Sequence, residues 1–408
     1  MSKIKILAIP SDQYGVGKFR VMGPYTHLQE TYPNDFHIDI KYNVEDNDSE
    51  FDGYDVVVLH SFIHNKVPFE KNLSRIEWLK NKGVKVIVDI DDFWTPDHRH
   101  PMYQSIIKTE TNKKKVQLLR AADYVSTTTS VFRDTIAKKI GLKNIVVFPN
   151  AIDENESQYK SNVEKSDKIR FGWLGGSSHF HDLELAKSGI SSTLAAYKDS
   201  TQFVLCGFDL RGTVKQMDAQ GKVTERPITP TETVWYQYER MFTDDYKSLD
   251  EDYKNFLLTF KDEQYDDTNK PYRRRWTKEI SKYALNYNTF DVSIAPLVDS
   301  EFNSNKSQLK AIEAGFHKKA LIASECNPYL IDLVNAVDEG KFNSKGNALL
   351  VNTRRNHKDW AKHMKRLIEN PNMIEDLGNR LYETVKDRYS LRVVNNTRAE
   401  FFKSIINK

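Results

Sequence analysis

The stretch KSQLKAIEAGFHKKALIAS, residues 306–324, places a single carboxylate, Glu313, beside the apolar face of a predicted short helix. A carboxylate there can accept hydrogen bonds from two adjacent hydroxyls, as the 2′- and 3′-hydroxyls of a ribose present them. Asn305, Lys306 and Ser307 form the predicted amino end of the same helix, where backbone amides, the helix dipole and an ammonium suit a diphosphate. One short helix is therefore predicted to hold both ends of a sugar nucleotide.

A second group of acids follows a predicted strand in VDIDDFW, residues 88–94. Asp89, Asp91 and Asp92 lie at the carboxyl end of that strand, the edge at which open α/β sheets bind ligands. Acids in this place can act as a base, hold a sugar hydroxyl or bind a metal ion. The alternative is that Asp92 serves only as a cap or turn residue ahead of Pro96.

The loop after the first predicted strand, SDQYGVGKFR, carries Gly15 and Gly17 ahead of a helical stretch. This spacing invites a dinucleotide-binding interpretation, but Arg20 stands where the GxGxxG pattern needs its third glycine. A plain tight turn is one alternative. The other is a loop at a cleft between domains, with Lys18 and Arg20 available for phosphate or acceptor contacts.

A second glycine loop, WLGGSSHFHDL, follows a strand and precedes a helix at residues 173–183. In that setting Gly175 and Gly176 are typical of a phosphate cradle. His179 and His181 are separated by one residue, yet no third ligand with suitable spacing is near. We therefore favour surface or substrate-contacting histidines over metal ligands.

Strand-length apolar runs alternate with amphipathic helical stretches, a pattern typical of a parallel sheet covered by helices. The predicted strands are 3–10, 36–42, 55–60, 84–91, 123–129, 144–150, 169–176, 202–208, 291–297, 319–324 and 348–351. A polar linker at 149–168 divides them, so the predicted fold class is α/β with two Rossmann-like, doubly wound halves. Residues 210–286 form a polar and aromatic insertion whose core, 246–260, is predicted to be helical.

Length and composition predict a globular protein of two or three domains, with 408 residues, 39% of them hydrophobic and 29% charged. The net charge of +3 is too small to indicate a nucleic-acid-binding protein. The basic runs 112–115 and 273–275 are interpreted as solvated faces, or else as contacts to a membrane surface or phosphate. Because Cys206 and Cys326 fit reduced core thiols and no membrane span or signal peptide is predicted, we expect a cytoplasmic protein without a disulfide or zinc site.

Three motifs occur in an order and at separations typical of one known family: VFPNAID at 147–153, FGWLGGSS at 171–178 and DVSIAPLVDSEFNSNKSQLKAIEAGFHKKALIAS at 291–324. With them the chain resembles the GT-B glycosyltransferases, close to the family-4-like or group 1 enzymes. The resemblance covers nearly the whole chain except the insertion. Its most specific part is the block from Asn305 to Glu313.

The resemblance implies two domains that face each other across a cleft. An N-terminal Rossmann-like domain at 1–155 would bind the acceptor. A C-terminal Rossmann-like domain at 165–380, with the insertion at 210–286, would bind the nucleotide-sugar donor. Residues 381–408 would form a helix that returns to the N-terminal domain.

The resemblance also implies roles for residues of the donor half. Glu313 matches the second acid of the family's E-x7-E motif, the ribose ligand, whereas Asn305 stands where the first acid is expected. This departure leaves open how the hydroxyls of the donor sugar are held. The other implied donor-binding residues are Gly175, Gly176, Ser177, Lys306, Ser307 and Gln308.

In the acceptor half, Asp91 stands in the place of a family histidine, so Asp91 or Asp92 is predicted to face the reacting centre. The predicted acceptor contacts are Gly15, Gly17, Lys18, Arg20 and His179. Such enzymes generally retain the anomeric configuration and need no divalent metal, which implies no resident cofactor and a nucleotide-diphosphate sugar as co-substrate. Catalysis would then depend on positioning and on stabilising the leaving diphosphate.

The acceptor is not specified by the sequence. A glycan, a lipid-linked sugar at a membrane surface, or a modified DNA base would each suit an aromatic and basic wall. The residues proposed for that wall are Trp235, Tyr236, Tyr272, Arg273 and Arg274. Two other hypotheses keep the fold, namely a sugar-nucleotide epimerase and a non-catalytic binding protein.

Overall fold

A computed structural model describes residues 2–60, 68–209, 213–217, 223–243, 251, 255, 270–338, 340–352 and 358–406 of the chain. Most of the predicted helical core at 246–260 lies outside these residues. Within the described ranges, no helix combines the length and apolar content needed to span a membrane.

The first half of the chain contributes six strands: β1 Ile4–Ile9, β2 Phe36–Ile40, β3 Val56–His60, β4 Lys85–Ile90, β5 Tyr124–Thr127 and β6 Ile145–Val147. They form one parallel sheet in the order β2-β1-β3-β4-β5-β6. The continuous valine and isoleucine runs of the sequence are therefore central strands buried on both faces.

The second half repeats the design with β7 Ile169–Leu174, β8 Thr201–Phe208, β11 Tyr272–Trp276, β12 Val292–Ala295, β13 Ala320–Ser324 and β16 Leu349–Val351. Their order in a second parallel sheet is β11-β8-β7-β12-β13-β16. Two antiparallel pairs lie apart from it, β9 Thr213–Met217 with β10 Val223–Pro227, and β14 Val337–Asp338 with β15 Lys341–Phe342. Each predicted strand is present, and the predicted α/β class with two Rossmann-like sheets is confirmed.

The helices of the first half are α1 Gly15–Gly17, α2 Gly23–Thr31, α3 Phe69–Asn81, α4 Tyr103–Lys108, α5 Thr111–Ala121 and α6 Ser130–Ile140, with a π-helical turn at Lys18–Met22. Those of the second half are α7 Phe180–Glu184, α8 Lys187–Ala196, α9 Val234–Thr243, α10 Glu301–Ser304, α11 Leu309–Phe316, α12 Lys358–Glu369, α13 Asn372–Tyr389 and α14 Leu391–Ile406. Short 3₁₀ turns lie at Asp48–Phe51, Ser157–Tyr159, Pro230–Glu232, Tyr283–Thr289 and Tyr329–Ile331.

Alternation along the strands explains why both faces of each sheet are covered, since adjacent side chains of a strand point to opposite faces. In β1, Leu7 and Ile9 join an apolar cluster that contains residues of α3, α5 and α6. Ile6 and Ala8 join the opposite cluster, which contains residues of α2 and of α14. The last helix of the chain therefore packs on the first sheet.

The insertion predicted at 210–286 is too long, because its final residues belong to the second sheet. Strand β11 runs parallel to β8, with Tyr272 opposite Phe203 and Arg274 opposite Leu205. The prediction failed here because three consecutive arginines, residues 273–275, are typical of an exposed segment rather than of a buried strand. Burial is possible because Arg274 donates to both carboxylate oxygens of Glu239, at 2.5 and 2.6 Å, within the protein interior.

The two halves are joined at the carboxyl ends of their strands. Helix α10 of the second half inserts Phe302 into the apolar cluster of the first half. Close by, Asn150 Nδ2 donates to Ser307 Oγ at 2.9 Å, and Lys139 Nζ lies 2.7 Å from Glu301 Oε1. These contacts bring the segment around Ser307 against the first half.

The packing of α13 on the second sheet gives a test of the fold. A Cβ atom added at Gly378 would lie 2.1 Å from the backbone carbonyl oxygen of Lys318, so the backbones would have to separate. We expect Gly378→Ala to lower the free energy of unfolding by about 1–3 kcal/mol, as measured by urea denaturation.

The matched control is Gly15→Ala, because a Cβ atom at Gly15 meets no atom within 4 Å. Equal stability of the two variants would show that α13 does not approach Lys318 as closely as described.

Candidate active site in the cleft between the sheets

The candidate site lies where the carboxyl ends of the two parallel sheets meet, the edge at which such sheets bind ligands. His60 ends β3, and Asp91 and Asp92 follow β4 in the first half. Gly175 and Gly176 follow β7 in the second half. The structure therefore brings the predicted acids and the second glycine loop to facing edges.

The helix expected to start at residues 305–307 starts later. Helix α10 ends at Ser304 and α11 begins at Leu309, so residues 305–308 connect two helices. Gln308 is the N-cap residue of α11, and Ser307, one residue before it, accepts from the Leu309 amide through its Oγ at 3.2 Å. In the part of the chain that the structure describes, no group accepts a hydrogen bond from the Ser307 or Gln308 amide. Both N–H groups are available to an anion.

Two ammonium groups flank this connection. Lys306 Nζ lies 4.8 Å from the centre of the Phe302 ring and forms no ion pair with a described residue. Lys310 donates to the carbonyl of Leu174, directly before the glycine loop, and its Nζ is 5.2 Å from the centre of the Trp173 ring. Burial, together with the charge of Lys306, lowers the pKa of Lys310 to about 8. The sequence analysis did not predict Lys310 as a site residue, although its spacing of four residues from Lys306 is that of neighbours on one face of a helix.

The glycine loop needs its first glycine because the loop, a ring and an ammonium crowd together. A Cβ atom at Gly175 would lie 2.4 Å from the Trp173 ring and 3.0 Å from Lys310 Nζ. A Cβ atom at Gly176 would meet no atom within 4 Å, and Ser177 is exposed. The predicted donor-binding loop is thus beside the Lys310 ammonium.

Glu313 is less accessible than its predicted role requires. It is 4% exposed, and its carboxyl group accepts hydrogen bonds from the hydroxyls of Tyr283 and Tyr287. Burial raises the pKa of Glu313 to about 8, which favours the neutral acid at neutral pH. A ribose could reach this group only if Tyr283, which is partly buried, moved aside. Tyr283 was not singled out in the sequence.

Asn305, in the place of the family's first acid, is also enclosed. It is 2% exposed, and its Nδ2 donates to the carbonyl of Glu301 at 2.7 Å. Its Oδ1 has no hydrogen-bond partner among the described residues. Gln308 contributes only backbone to the cleft, since its side chain donates to Asp332 and Tyr389 inside the second half.

The two predicted catalytic acids have different surroundings. Asp91 Oδ1 lies 2.9 Å from His60 Nε2. Burial alone would raise the pKa of Asp91, but His60 outweighs it and holds that pKa well below its usual range. Burial and the neighbouring Asp91 raise the pKa of Asp92, to which no described residue donates a hydrogen bond. His60 was missed, although it ends the apolar run DVVVLH.

The first glycine loop is the start of a helix rather than an isolated turn. Gly15 and Gly17 lie in α1, and the Asp12 carboxylate accepts from the Gly17 amide at 3.1 Å. Lys18 pairs with Glu156 of the linker. The loop thus contacts the segment between the two halves.

Arg20, the residue in the third glycine position, lies inside the first half. It is 3% exposed, and its Nε and Nη2 donate to the two oxygens of Asp89 at 2.9 and 2.8 Å. Its Nη1 donates to the Phe148 carbonyl and to Asn150, at 2.7 and 3.0 Å. Four of the five N–H donors are engaged by these protein groups and the side chain is buried, so Arg20 is a structural residue of the first half rather than the predicted acceptor contact. Asp89 is likewise a structural partner.

His179 and His181 each pair with an acid on their own helix. His179 Nδ1 lies 2.7 Å from Asp182, and burial followed by the charge of Lys306 lowers the pKa of His179 to about 4. His181 Nδ1 lies 2.7 Å from Glu184. The described residues contain no group of three or more potential metal ligands.

Beside His181, residues of both halves line a partly open cleft. Its lining comes from both halves and includes Arg99, His100, Ser178, Asp182, Phe302 and Lys306.

The proposed aromatic and basic acceptor wall is wrong. The residues Trp235, Tyr272, Arg273 and Arg274 are 6, 1, 1 and 8% exposed, while Tyr236 is half-buried. They pack in the interior of the second half because β11 and α9 cover the outer side of β8. Trp235, Tyr272, Arg273 and Arg274 therefore stabilise the fold and are too buried to contact an acceptor.

Solved structures share this architecture. Sucrose-phosphate synthase of Thermosynechococcus elongatus matches with a TM-score of 0.63 at 11% identity, over 99% of this chain and 100% of that one. Anabaena HepE, solved with UDP and glucose, matches with a TM-score of 0.58 at 12% identity, over 98% and 100% of the two chains. A Listeria monocytogenes protein assigned as a UDP-N-acetylglucosamine 2-epimerase matches with a TM-score of 0.54 at 10% identity, over 100% and 97%.

At such identities the likeness establishes the fold. The chain has the GT-B fold, as the resemblance implied, and glycosyltransferases are among the proteins that share it. No protein-family model and no curated protein sequence matches the chain.

The buried Glu313 gives a prediction about pH. In the unfolded chain its carboxyl ionises above a pKa of about 4.5, whereas in the folded protein it stays protonated up to a pKa of about 8. The folded state therefore binds more protons in this window, and Glu313 makes the protein less stable as pH rises through it. We expect Glu313→Gln to raise the unfolding temperature at pH 8, by an amount equivalent to a few kcal/mol, and to have little effect at pH 4.5.

The control is Glu154→Gln, which changes an exposed glutamate. Thermal unfolding of both variants and the unmodified protein at the two pH values is the measurement. A Glu313→Gln effect of equal size at both pH values would contradict the assignment of a neutral buried acid.

Proposed function

We propose that this chain is a glycosyltransferase that moves a sugar from a nucleotide-diphosphate sugar to an acceptor, with retention of anomeric configuration. In this proposal residues 1–155 bind the acceptor and residues 165–380 bind the donor. The observation that carries it is the anion site formed by the Ser307 and Gln308 amides with the Lys306 and Lys310 ammonium groups. That site faces the second glycine loop in a GT-B fold.

The donor diphosphate is proposed to lie between Gly176 and Ser307. Backbone amides and two ammonium groups match its charge, and positive charge there stabilises the diphosphate as it leaves. Uridine diphosphate is the first donor class to test, because HepE was solved with UDP and with UDP-glucose. No step of this scheme uses a metal ion.

The sugar would then project toward the first half, where Asp91 and Asp92 lie. An acidic group at this position can accept a hydrogen bond from the attacking hydroxyl or stabilise positive charge at the anomeric carbon. Asp92 is the better candidate for direct contact, since it has no hydrogen-bond partner among the described residues while Asp91 is bound by His60. The acceptor remains a glycan, a lipid-linked sugar at a membrane surface, or a DNA base.

The alternative function is epimerisation of a sugar nucleotide, favoured by the match to the Listeria protein of the same fold. An epimerase needs no acceptor. Incubating the protein with UDP-sugars alone, followed by chromatographic analysis of the sugar, separates the two activities.

Donor binding provides the direct test. We expect UDP to bind, and Lys310→Ala and Lys306→Ala each to weaken it by about 10- to 100-fold, because each removes a charge-assisted contact of about 1.5–3 kcal/mol. Isothermal titration calorimetry with UDP, GDP and ADP measures this.

The matched control is Lys345→Ala, which removes an exposed ammonium from a loop of the second half. Circular dichroism shows whether each variant is folded. Undiminished nucleotide affinity in both folded lysine variants would place the donor elsewhere and overturn the proposal.

A further inference from the structure

A chain of hydrogen bonds runs beneath the candidate acids of the first half. His60 is 5% exposed, and both of its ring nitrogens are occupied. Nε2 lies 2.9 Å from Asp91 Oδ1, and Nδ1 lies 2.8 Å from Ser11 Oγ. Ser11 Oγ in turn donates to Asp12 Oδ2 at 3.0 Å. The histidine therefore connects the end of β1 to the end of β4.

Counting protons along this chain assigns the charge of the histidine. The Asp12 carboxylate can only accept, so when the Ser11 hydroxyl donates its one hydrogen to Asp12, Ser11 Oγ accepts from His60 Nδ1. The Asp91 carboxylate also only accepts, and it takes the hydrogen on Nε2. Both ring nitrogens then carry hydrogen, which makes His60 an imidazolium.

The other end of the chain reaches the first glycine loop. Asp12 Oδ1 accepts from the backbone amides of Tyr14 and Gly17, at 2.8 and 3.1 Å. Tyr14 is 74% exposed, so this loop lies at the surface of the first half. A change in the position of the loop would move Asp12 and Ser11, and with them the partner of His60.

We propose that His60 is a positioning residue, an imidazolium that fixes and charges Asp91 while leaving Asp92 as the free acid of the reacting centre. The role of Asp91 and Asp92 in the reaction rests on the proposed function. The assignment of charge to the pair rests on the geometry alone.

The charges around the pair agree with this assignment. The charged groups that act on His60 include Asp91, Asp89 and Lys115, and Asp92 also interacts with its charge. Burial alone would lower the pKa of His60, but Asp91 followed by Asp89 outweighs burial and Lys115, so that pKa is raised. Asp89 is itself paired with Arg20, which leaves Asp91 as the main partner of the imidazolium.

The test is nitrogen NMR of the full-length protein labelled with ¹⁵N-histidine, with the His60 signals identified by their loss in His60→Gln. We expect both ring nitrogens of His60 to be protonated at pH 7.5, about one unit above the ordinary histidine pKa of about 6.5. In Asp91→Asn the same signals should become those of a neutral ring. His179 is an internal control and should be neutral throughout, since its pKa is about 4.

A neutral His60 at pH 7.5 in the unmodified protein would overturn the proposal, as would signals that do not change in Asp91→Asn. The first of these readings is made on the unmodified protein, with His60→Gln used only to assign the signals, so misfolding of Asp91→Asn cannot hide the result. Neither reading needs a substrate, so absence of donor turnover would count against the proposed function and not against the charged pair.

A second readout separates positioning from simple stability. If UDP-sugar turnover is found, His60→Gln keeps an amide donor toward Asp91 but removes the charge, and should lower kcat at least 10-fold with little change in KM. Its pH profile should change on the acid side, because loss of the imidazolium lets the pKa of Asp91 rise. An unchanged kcat in folded His60→Gln would contradict a positioning role.

Discussion

The enclosure of α11 is the constraint on which the candidate site depends. Ala311, Ile312 and Ala314 are fully buried, and a Cβ atom at Gly315 would lie 2.5 Å from Val385 of α13. With its sides closed by the second sheet and by α13, the helix can present polar groups only at its amino end. The ammonium groups and free amides therefore gather at the cleft, where an anion can neutralise them. Glu313, about one turn further along the helix, does not reach the cleft and instead accepts hydrogen bonds from the hydroxyls of Tyr283 and Tyr287.

The segment that leads into α11 also connects the second half to the first half. The segment leading into α11 carries Phe302, which is buried among side chains of the first half, and Ser307, which accepts from Asn150. Asn150 is also bound by Arg20, the partner of Asp89 in β4. A continuous set of polar contacts thus connects the proposed diphosphate site to the strand that carries the candidate acids. Opening the cleft has to break some of these contacts, so ligand binding and the relative position of the halves are energetically coupled.

The sequence predicted the elements well because both sheets are parallel and buried, and parallel central strands are continuous runs of valine, isoleucine and leucine. Strand β11 was missed because YRRRW has the composition of a surface, and only its pairing with Glu239 inside the fold reveals its burial. The same limit applies to the site. Glycine loops and acids at strand ends are visible in sequence, whereas partners distant in the chain are not. His60 and Asp91 are 31 residues apart, and Tyr283 and Glu313 are 30 residues apart.

The consecutive acids Asp91 and Asp92 show why such partners decide chemistry. Because the two residues are adjacent in sequence, their spacing alone does not indicate which carboxyl group has which role. In the fold Asp91 contacts an imidazole and keeps its charge, while burial and the neighbouring charge of Asp91 raise the pKa of Asp92, so that Asp92 takes up a proton more readily. Pairs of acids whose surroundings separate their pKa values in this way are suited to divide the roles of charge stabilisation and proton transfer. The charge of Lys306 from the opposite half opposes the rise in the pKa of Asp92, so the protonation of this acid depends on both halves being together.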